Sequence, residues 1–523
     1  MNDSTAETAH RGDDGEATDA ARAPLSGAAR LAHGVALGGL ALYAFIAPGS
    51  IAAAWIAISV AAVGWLARTL VTRRTNLRRT PVDLPLWLFV AWTVLSSLVS
   101  EEPRVSLAKL PSVATFLFLY LVSAILHSRR EAAAVACALV AGACACTLWG
   151  VAELAIGRGV VVESVAAGSP LAAQPGLRPG DCVWRVNGRR VGSVAEIDEA
   201  IRRTPDGART TFSIIAAGEH VERPGPDATA AWKSSPSPSG LSGTRPTHRF
   251  RASGWTRHYE TFAETAQMAA QLALGFALAY FARARRGGGR PDDSGGRARD
   301  GRRAALFAAA FLLLAAGVAL TAMRTATVAL ACGALVVAWR ASGVSRRARV
   351  AVVGALAAAL ALGAVAVWRT RDEGALRLRD PSSRLRFEVA RVAVRRVAAH
   401  PVFGHGMDAV QRHWGEWGFP GRDMLHAHST PVQLAFDRGL PALVLWLWLA
   451  VAFWLALSRS ERLLRASPDA AAHGLLVGAA GASAGFLASS AVNYNFGDAE
   501  VALMLWWLAG SVFAAARAPA GAK

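Results

Sequence analysis

Long apolar runs separated by short polar connections make up most of the chain. A run of roughly 17–25 residues is long enough to cross the hydrocarbon core of a bilayer as a helix. Such runs lie near residues 33–48, 51–71, 84–100, 111–127, 132–155, 262–282, 304–323, 325–341, 350–368, 431–457, 474–492 and 499–516. The pattern predicts an all-α polytopic membrane protein with about twelve transmembrane helices.

Two segments interrupt this pattern. In residues 157–223, short β-branched runs alternate with Gly and Pro turns, which predicts a small inserted β-rich domain. Residues 369–430 form a long polar stretch. The predicted organisation is a disordered cytosolic tail at 1–31, helices one to five at 32–156, the inserted domain at 157–223, a linker at 224–261, helices six to nine at 262–368, an outward loop at 369–430 and helices ten to twelve at 431–517.

The basic residues lie mainly between the apolar runs. Lys and Arg total 56 against 37 Asp and Glu, a formal net charge of +19. Clusters such as Arg129-Arg130 occur at alternate connections, whereas Glu101-Glu102 lies at a connection on the other side. The positive-inside rule then makes both termini cytosolic and turns the two long segments outward, into a periplasm if the cell has one. The charge is therefore a topology signal and argues against nucleic-acid binding.

Candidate chemistry concentrates on the outward side. Residues 369–430 carry eleven arginines against seven acidic residues, and the segment is too long for the positive-inside rule to govern. Within it, Ser383 to Ala399 predicts an amphipathic helix, whose arginines either rest on anionic headgroups or bind a diphosphate. Arg324 lies between two spans at the outer membrane face, so it is a candidate for the same site.

His428 stands where the polar stretch meets the apolar run 431–457. A histidine at a membrane–water boundary, with many arginines before it, indicates proton transfer beside a bound anion. His426 and His428 are alternatively a surface pair or two metal ligands, but no convincing third ligand accompanies them. The five cysteines follow no zinc or disulfide spacing. We therefore predict no metal and no cofactor.

The inserted segment resembles bacterial PDZ domains over about 60 residues. The resemblance rests on three strings, Ser164-Val165-Ala166-Ala167-Gly168-Ser169-Pro170-Leu171-Ala172, Gly176-Leu177-Arg178-Pro179-Gly180-Asp181 and Val186-Asn187-Gly188-Arg189-Arg190-Val191. It implies capture of an extended peptide by strand addition, with the peptide carboxylate held by backbone amides. The Gly-apolar-Gly-apolar loop that usually precedes this region is not evident, and the alternative is a domain that only docks.

The outward chemistry resembles the O-antigen ligase and polymerase family. The motifs are Arg324-Thr325-Ala326, Arg384, His400-Pro401-Val402-Phe403-Gly404-His405-Gly406, and His426-Ala427-His428-Ser429 with nine residues to Gly439. The family pattern ends in Gly, Thr or Tyr three residues after that glycine, where this sequence has Ala442. The motifs separate ligases from polymerases poorly, and a PDZ insertion is not typical of the family.

The resemblance implies a GT-C-like helical fold in a bacterial inner membrane. It further implies transfer of a glycan from undecaprenyl diphosphate to an acceptor hydroxyl, on lipid A-core or a similar molecule, without a metal. His428 is the predicted general base, and His426 or Asp437 orients it. Arg324 and Arg384 are predicted to neutralise the departing diphosphate, with Arg386 as the alternative to Arg384. Alternatives are a polysaccharide polymerase, a protein O-oligosaccharyltransferase, or a transporter or PDZ-bearing scaffold.

Overall fold

Helices account for most of the computed structural model. It describes residues 26–216, 219–256, 258–286, 294–341, 345–347, 350–351, 353–354, 358, 361–362, 381–421, 426–464 and 469–517. The helices are α1 (Gly27–Ile46), α2 (Ile51–Thr72), α3 (Asp83–Val99), α4 (Pro103–Val113), α5 (Leu117–Ile125), α6 (Arg129–Ile156), α7 (Pro170–Ala173), α8 (Val194–Arg202), α9 (Ala230–Lys233), α10 (Tyr259–Arg286), α11 (Ser294–Leu320), α12 (Arg324–Arg340), α13 (Pro381–Ala399), α14 (Ala409–His413), α15 (Thr430–Leu464), α16 (Ala470–Ser490) and α17 (Ala499–Arg517).

Nine spans in the described part of the chain are long and apolar enough to cross a membrane. They are α1, α2, α4 with α5, α6, α10, α11, α15, α16 and α17. Helices α3 and α12 have 17 residues each and are shorter than these. The predicted span 350–368 falls mainly outside the described residues, as does the predicted tail at 1–31. The prediction of a polytopic all-α protein with a β-rich insertion is confirmed.

Small residues let the central helices approach closely. A Cβ built on Gly275 of α10 would lie 2.5 Å from the backbone nitrogen of Gly478 in α16. A Cβ on Gly39 of α1 would lie the same distance from the nitrogen of Ala61 in α2. Close backbone packing of this kind stabilises helix bundles in lipid, where burial of apolar surface gives little driving force.

Polar contacts identify the two ends of the bundle. Arg340 ends α12 and pairs with Glu461, near the end of α15, at 2.7 Å. Arg129 opens α6 and donates to the carbonyl of Ala515 at 3.1 Å. We call this the arginine end. The opposite end, where α6 finishes and α10 begins, carries the inserted domain and is called the insertion end.

The inserted domain has two sheets. Its strands are β1 (Val160–Val161), β2 (Ser164–Val165), β3 (Cys182–Val186), β4 (Arg189–Arg190), β5 (Arg209–Ala216), β6 (Glu219–Asp227) and β7 (Leu241–Ser242). One sheet has the order β1-β3-β5-β6 with β4 on β3, and β2 pairs with β7 in the other. The turn between β3 and β4 uses Asn187 and Gly188, both at positive φ, as the Asn-Gly pair predicts.

The linker predicted at 224–261 differs from the structure. Strand β6 continues to Asp227, and residues 228–247 return across the domain. Trp232 and Leu241 from this return are buried in the core of the domain. Helix α10 then begins at Tyr259, so its first turn also lies inside the predicted linker. The Pro, Ser and Gly content predicted an irregular linker, but it did not predict the short helix and strand of this segment or their packing into the domain.

The described part of the loop predicted at 369–430 folds over the insertion end of α15. The predicted amphipathic helix is present as α13, and its apolar face packs against α14 and the first turns of α15. Shared core residues are Val389, Ala393, Ala409, Val410, Trp414, Trp417, Phe419, Ala427 and Phe436. The described part of the loop is therefore a small packed unit attached to the bundle, and residues 369–380 lie outside the described ranges.

Candidate active site

Helix α15 breaks at Gly439, which has φ 81° and ψ 171°. The sequence predicted one uninterrupted span here. The break exposes backbone groups that the Pro401–Gly406 turn satisfies: Leu440 N–H donates to the carbonyl of Pro401 (2.8 Å), and His405 N–H donates to that of Phe436 (2.8 Å). Such a break is tolerated in a spanning helix when neighbouring groups take up the freed donors and acceptors.

Two glycines make this contact possible. A Cβ on Gly439 would lie 1.8 Å from the carbonyl oxygen of Val402, and a Cβ on Gly404 would lie 2.5 Å from the backbone nitrogen of Arg438. Both glycines have positive φ, where a side chain is strained in any case. The Pro-x-x-Gly turn and the distant glycine of the histidine motif are therefore two halves of one backbone junction.

Gly439→Ala is expected to destabilise this junction. It combines a left-handed backbone with a clash against backbone, so we expect a loss of roughly 3 kcal/mol in the free energy of unfolding. Gly418→Ala is the matched control, because Gly418 also has positive φ (75°) but nothing lies within 4 Å of its Cβ position. Thermal unfolding of both purified variants measures the difference in their stability. Equal losses of stability would show that the strain of a positive φ accounts for the effect and that the clash at Gly439 does not.

His428 precedes the first turn of α15. It has a left-handed backbone (φ 53°), unusual for a residue with a side chain. Its N–H donates to Nδ1 of His426 at 3.2 Å, and the two rings lie 4.3 Å apart. Both ring nitrogens of His428 are buried without a hydrogen-bond partner among the described residues. Burial, followed by the nearby His426 and Arg386, lowers the pKa of His428 to about 3, so the ring is neutral at pH 7.

Asp437 acts on this segment through Gln433. Gln433 Nε2 donates to Oδ1 of Asp437 at 2.8 Å, and Gln433 Oε1 accepts the N–H of Ala427 at 2.6 Å. Asp437 is buried one turn below Gln433. The chain of contacts thus fixes the backbone between His426 and His428, and no direct contact joins Asp437 to His428 among the described residues.

A buried polar cluster lies beneath the histidines. The N–H and hydroxyl of Thr430 both donate to the carbonyl of Asn493 at 3.0 Å. The amide of Asn493 donates to Glu264 in α10 at 3.2 Å, and Ser489 also donates to Glu264. These contacts tie the start of α15 to α10 and α16. The segment that carries His428 is therefore held from two sides.

The structure separates the three candidate arginines. Arg386 lies on the side of α13 nearest the histidines, 28% exposed, and its Nη2 is 3.1 Å from Glu260. Arg384 is 80% exposed and pairs with Glu388 of the same helix at 3.1 Å. Two residues along a helix are about 200° apart, so these arginines cannot share a face. Arg386, and not Arg384, is close enough to His428 for its charge to act on the histidine ring.

Arg324 is the first residue of α12 and is exposed at the insertion end. A cation at the N-terminus of a helix is electrostatically unfavourable for the helix itself. An anion is favoured at the same place, because the first N–H groups of a helix have no partner within it. The position therefore suits binding of a phosphate group better than stabilisation of α12.

His405 belongs to a separate cluster with His400 and Glu101. Nδ1 of His405 is 2.9 Å from Glu101, and Nε2 of His400 is 3.0 Å from the same oxygen. His405 is fully buried, and its Nε2 is 3.1 Å from the carbonyl of Arg396. Two histidines and a carboxylate could hold a metal. Their contacts also join the turn to the start of α4, so a role in packing accounts for them.

Several residues at the site carried no signal in the sequence analysis. They are Glu260, Glu264, Gln433, Asn493 and Tyr494, whose ring lies 5.5 Å from that of His426. Polar residues inside apolar runs are the signal that could have found Glu264 and Gln433. Trp414 and Trp417 are buried in the core of the loop, which leaves little of either ring for a ligand.

Comparison with known proteins agrees with both resemblances. Residues 309–447 match the family model of the O-antigen ligase, and residues 161–215 match that of the PDZ domain. The first match runs from α11 into α15 and includes Arg324, His428 and Gly439. The two matches confirm both resemblances over the matched residues: a segment of the O-antigen ligase family and an inserted PDZ domain. With the nine spans of the described residues, they indicate a multi-pass membrane protein that carries a segment similar to the ligases and polymerases of this family.

A curated relative matches over a short segment. The chain is 38% identical over 68 residues to the magnetosome formation protease MamE of Magnetospirillum gryphiswaldense. This segment is 13% of the chain and 9% of the relative. The chain thus spans less than a tenth of the length of the curated relative that it matches, and the similarity concerns a segment only.

Proposed function

We propose that the protein is an inner-membrane O-antigen ligase-like glycosyltransferase, which moves a glycan from undecaprenyl diphosphate to an acceptor hydroxyl at the insertion end. The observation that carries this proposal is the placement of His428. Its ring is neutral, both ring nitrogens are buried without a hydrogen-bond partner among the described residues, and Arg386 lies nearby. A proton acceptor beside an anion-binding group is what such a transfer requires.

In the proposed reaction, the acceptor oxygen attacks the anomeric carbon of the donor while its proton passes to His428. The bond between that carbon and the diphosphate breaks, and the diphosphate leaves with the electron pair. A base with a pKa near 3 is weak, but a bound diphosphate adds negative charge next to the ring and raises its pKa. Donor binding would therefore bring His428 closer to the pKa that proton transfer needs.

Arg386 and Arg324 are the proposed partners of the leaving diphosphate. Guanidinium groups bind phosphate oxygens in a bidentate manner, and their charge stabilises the transition state as negative charge grows. Glu260 holds Arg386 in place at 3.1 Å. Arg384, on the outer face of α13, is proposed only as a contact for a more distant part of the substrate or for lipid headgroups. His426, Asp437 and Gly439 act by positioning His428.

We place the insertion end in the periplasm and both termini in the cytosol. The arginine-rich short connections lie at the other end of the bundle, which the positive-inside rule assigns to the cytosol. Polymerised glycans on undecaprenyl diphosphate would then reach the site from the outer leaflet. Lipid A-core is the proposed acceptor. A polymerase or a protein O-oligosaccharyltransferase would use the same chemistry with another acceptor.

Glycan profiles of a strain that lacks the gene test these alternatives. Long polymer that accumulates on the carrier lipid, and is restored to its acceptor by the wild-type gene, supports a ligase. Accumulation of single repeats on the lipid instead identifies a polymerase. Loss of glycan from proteins alone identifies a protein O-oligosaccharyltransferase. An unchanged glycan profile would contradict the proposed enzymatic function and favour a transporter or a PDZ-bearing scaffold.

A further inference from the structure

The return segment of the inserted domain, residues 236–247, passes through a turn, in which Gly240 N–H donates to the carbonyl of Ser237 (3.1 Å), and then runs along β2 from Leu241 onward. Ser164 pairs with Ser242, and Val165 pairs with Leu241, in antiparallel register. Further backbone bonds continue the pairing in both directions: Ala166 N–H to Gly240 O (2.7 Å), Glu163 N–H to Ser242 O (2.8 Å), Val161 N–H to Arg245 O (2.9 Å), and Arg158 N–H to Thr247 O (2.8 Å). The segment is thus an added strand along the whole of this edge.

Helix α8 holds the other side of the same segment. The carboxylate of Asp198 accepts the N–H of Ser239 at 2.8 Å and the hydroxyl of Ser237 at 3.2 Å. Arg202 donates to the carbonyl of Pro236 at 2.9 Å. The segment therefore fills a groove between an open strand edge and a helix, which is the arrangement in which strand-addition domains hold peptides.

The side chains of the segment fit the groove. Leu241 is 8% exposed and packs in the domain core beside β2 and α8. Gly243 lies so close to β1 that a Cβ there would be 2.1 Å from the carbonyl of Val161. One apolar anchor, flanked by small residues that allow close backbone approach, is the pattern expected of a bound strand.

We propose that residues 236–247 are the resident ligand of the PDZ groove, so that the domain is an intramolecular clasp and not an open receptor for partner peptides. The antiparallel strand runs on past Arg158, where a peptide ligand would end in its carboxylate. This proposal explains why the Gly-apolar-Gly-apolar loop is not evident in the sequence, because an internal ligand has no terminal carboxylate for such a loop to bind. The chain instead continues into α10.

The clasp also fixes the domain on the bundle. Beside Thr247, the guanidinium carbon of Arg158 lies 4.3 Å from the ring centre of Phe250, and Arg158 pairs with Glu153 at the end of α6. A tethered ligand acts at an effective concentration of millimolar order. Even a segment with a dissociation constant of about 10 µM would then fill the groove about 99% of the time.

Hydrogen–deuterium exchange of the full-length protein in nanodiscs tests the clasp. We expect peptides that cover 158–166 and 239–247 to exchange about 100-fold more slowly than an exposed loop. Asp198→Ala should speed exchange at 239–247 at least about tenfold, since two anchors are lost. Glu199→Ala is the control, because the side chain of Glu199 on the same helix pairs with Arg203 at the surface and, in the described part of the domain, does not contact residues 236–247. Unprotected exchange at 239–247 in the wild type would overturn the proposal.

Peptide binding gives an independent readout. A fluorescent, C-terminally amidated peptide with the sequence of residues 236–247 should not bind the wild-type protein, whose groove is full. Gly243→Val should expel the segment by its clash with Val161 and let the added peptide bind. If the wild type binds this peptide as tightly as the Gly243→Val variant, the groove is open and the clasp is refuted. Should Gly243→Val unfold the domain, the exchange data on the wild type decide.

Discussion

Replacing His428 with alanine is expected to lower kcat for glycan transfer by about 10³-fold, the usual contribution of a positioned general base. The ring is neutral and its nitrogens have no hydrogen-bond partner among the described residues, so its loss removes proton acceptance without breaking a hydrogen bond of the ring there. The KM for the lipid-linked donor should change little. Purified enzyme in nanodiscs, assayed at saturating donor and acceptor, gives both constants.

His413→Ala is the matched control for this variant. His413 lies in the same loop and pairs with Glu102 and Glu416, which raise its pKa. It lies in the helix after the Pro401–Gly406 turn, and no contact joins it to His428 among the described residues. We expect kcat within about twofold of the wild type. Equal losses in both variants would mean that the loop merely tolerates substitution poorly, and wild-type kcat in His428→Ala would remove His428 as the base.

Replacing Arg386 with alanine is expected to reduce kcat/KM for the donor by roughly 10–100-fold, the effect of losing one charge-assisted contact to a diphosphate. Arg384→Ala should stay within about twofold, since Arg384 is exposed and, among the described residues, pairs with Glu388 of its own helix. The two variants remove the same charge from the same helix. A difference between them therefore reports the position of the guanidinium and not the net charge of the loop.

Arg386→Ala is also expected to change the pH dependence of the reaction. The positive charge of Arg386 disfavours the protonated ring and is one of the causes that lower the pKa of His428. Removing it should raise that pKa, so the acidic limb of kcat/KM should move to higher pH in Arg386→Ala but not in Arg384→Ala. If Arg384→Ala lowers donor use while Arg386→Ala does not, the assignment of the diphosphate site is reversed.

The sequence predicted what depends on local pattern. Apolar runs and flanking charges placed the spans, and the turns of the insertion placed its strands. The motif around His428 predicted a histidine just before the start of α15. Which of Arg384 and Arg386 faces His428 depends on the orientation of α13 about its own axis, which the sequence alone does not give. The apolar face Leu385, Val389 and Ala393 sets that rotation only once its packing partners are known.

The features that the sequence did not predict depend on contacts between residues that are far apart in the chain. Residues 224–247 have the composition of a linker, but they are ordered by the pairing of β6 with β5, by burial of Trp232 and Leu241, and by backbone pairing to β2. Gly439 looked like one glycine within a span, because nothing nearby in sequence shows that the turn at Pro401 fills the break. Asp437 reaches the histidines only through Gln433, a link that spacing alone does not reveal.

Release of undecaprenyl diphosphate by the purified protein is the most direct test of the central proposal. The enzyme would be mixed with glycan linked to undecaprenyl diphosphate and with lipid A-core. The account predicts that free undecaprenyl diphosphate appears in step with glycosylated acceptor, only when acceptor is present, and that His428→Ala loses both. Stable wild-type protein that releases no diphosphate with lipid A-core, with a second lipid-linked glycan or with a protein acceptor would contradict it.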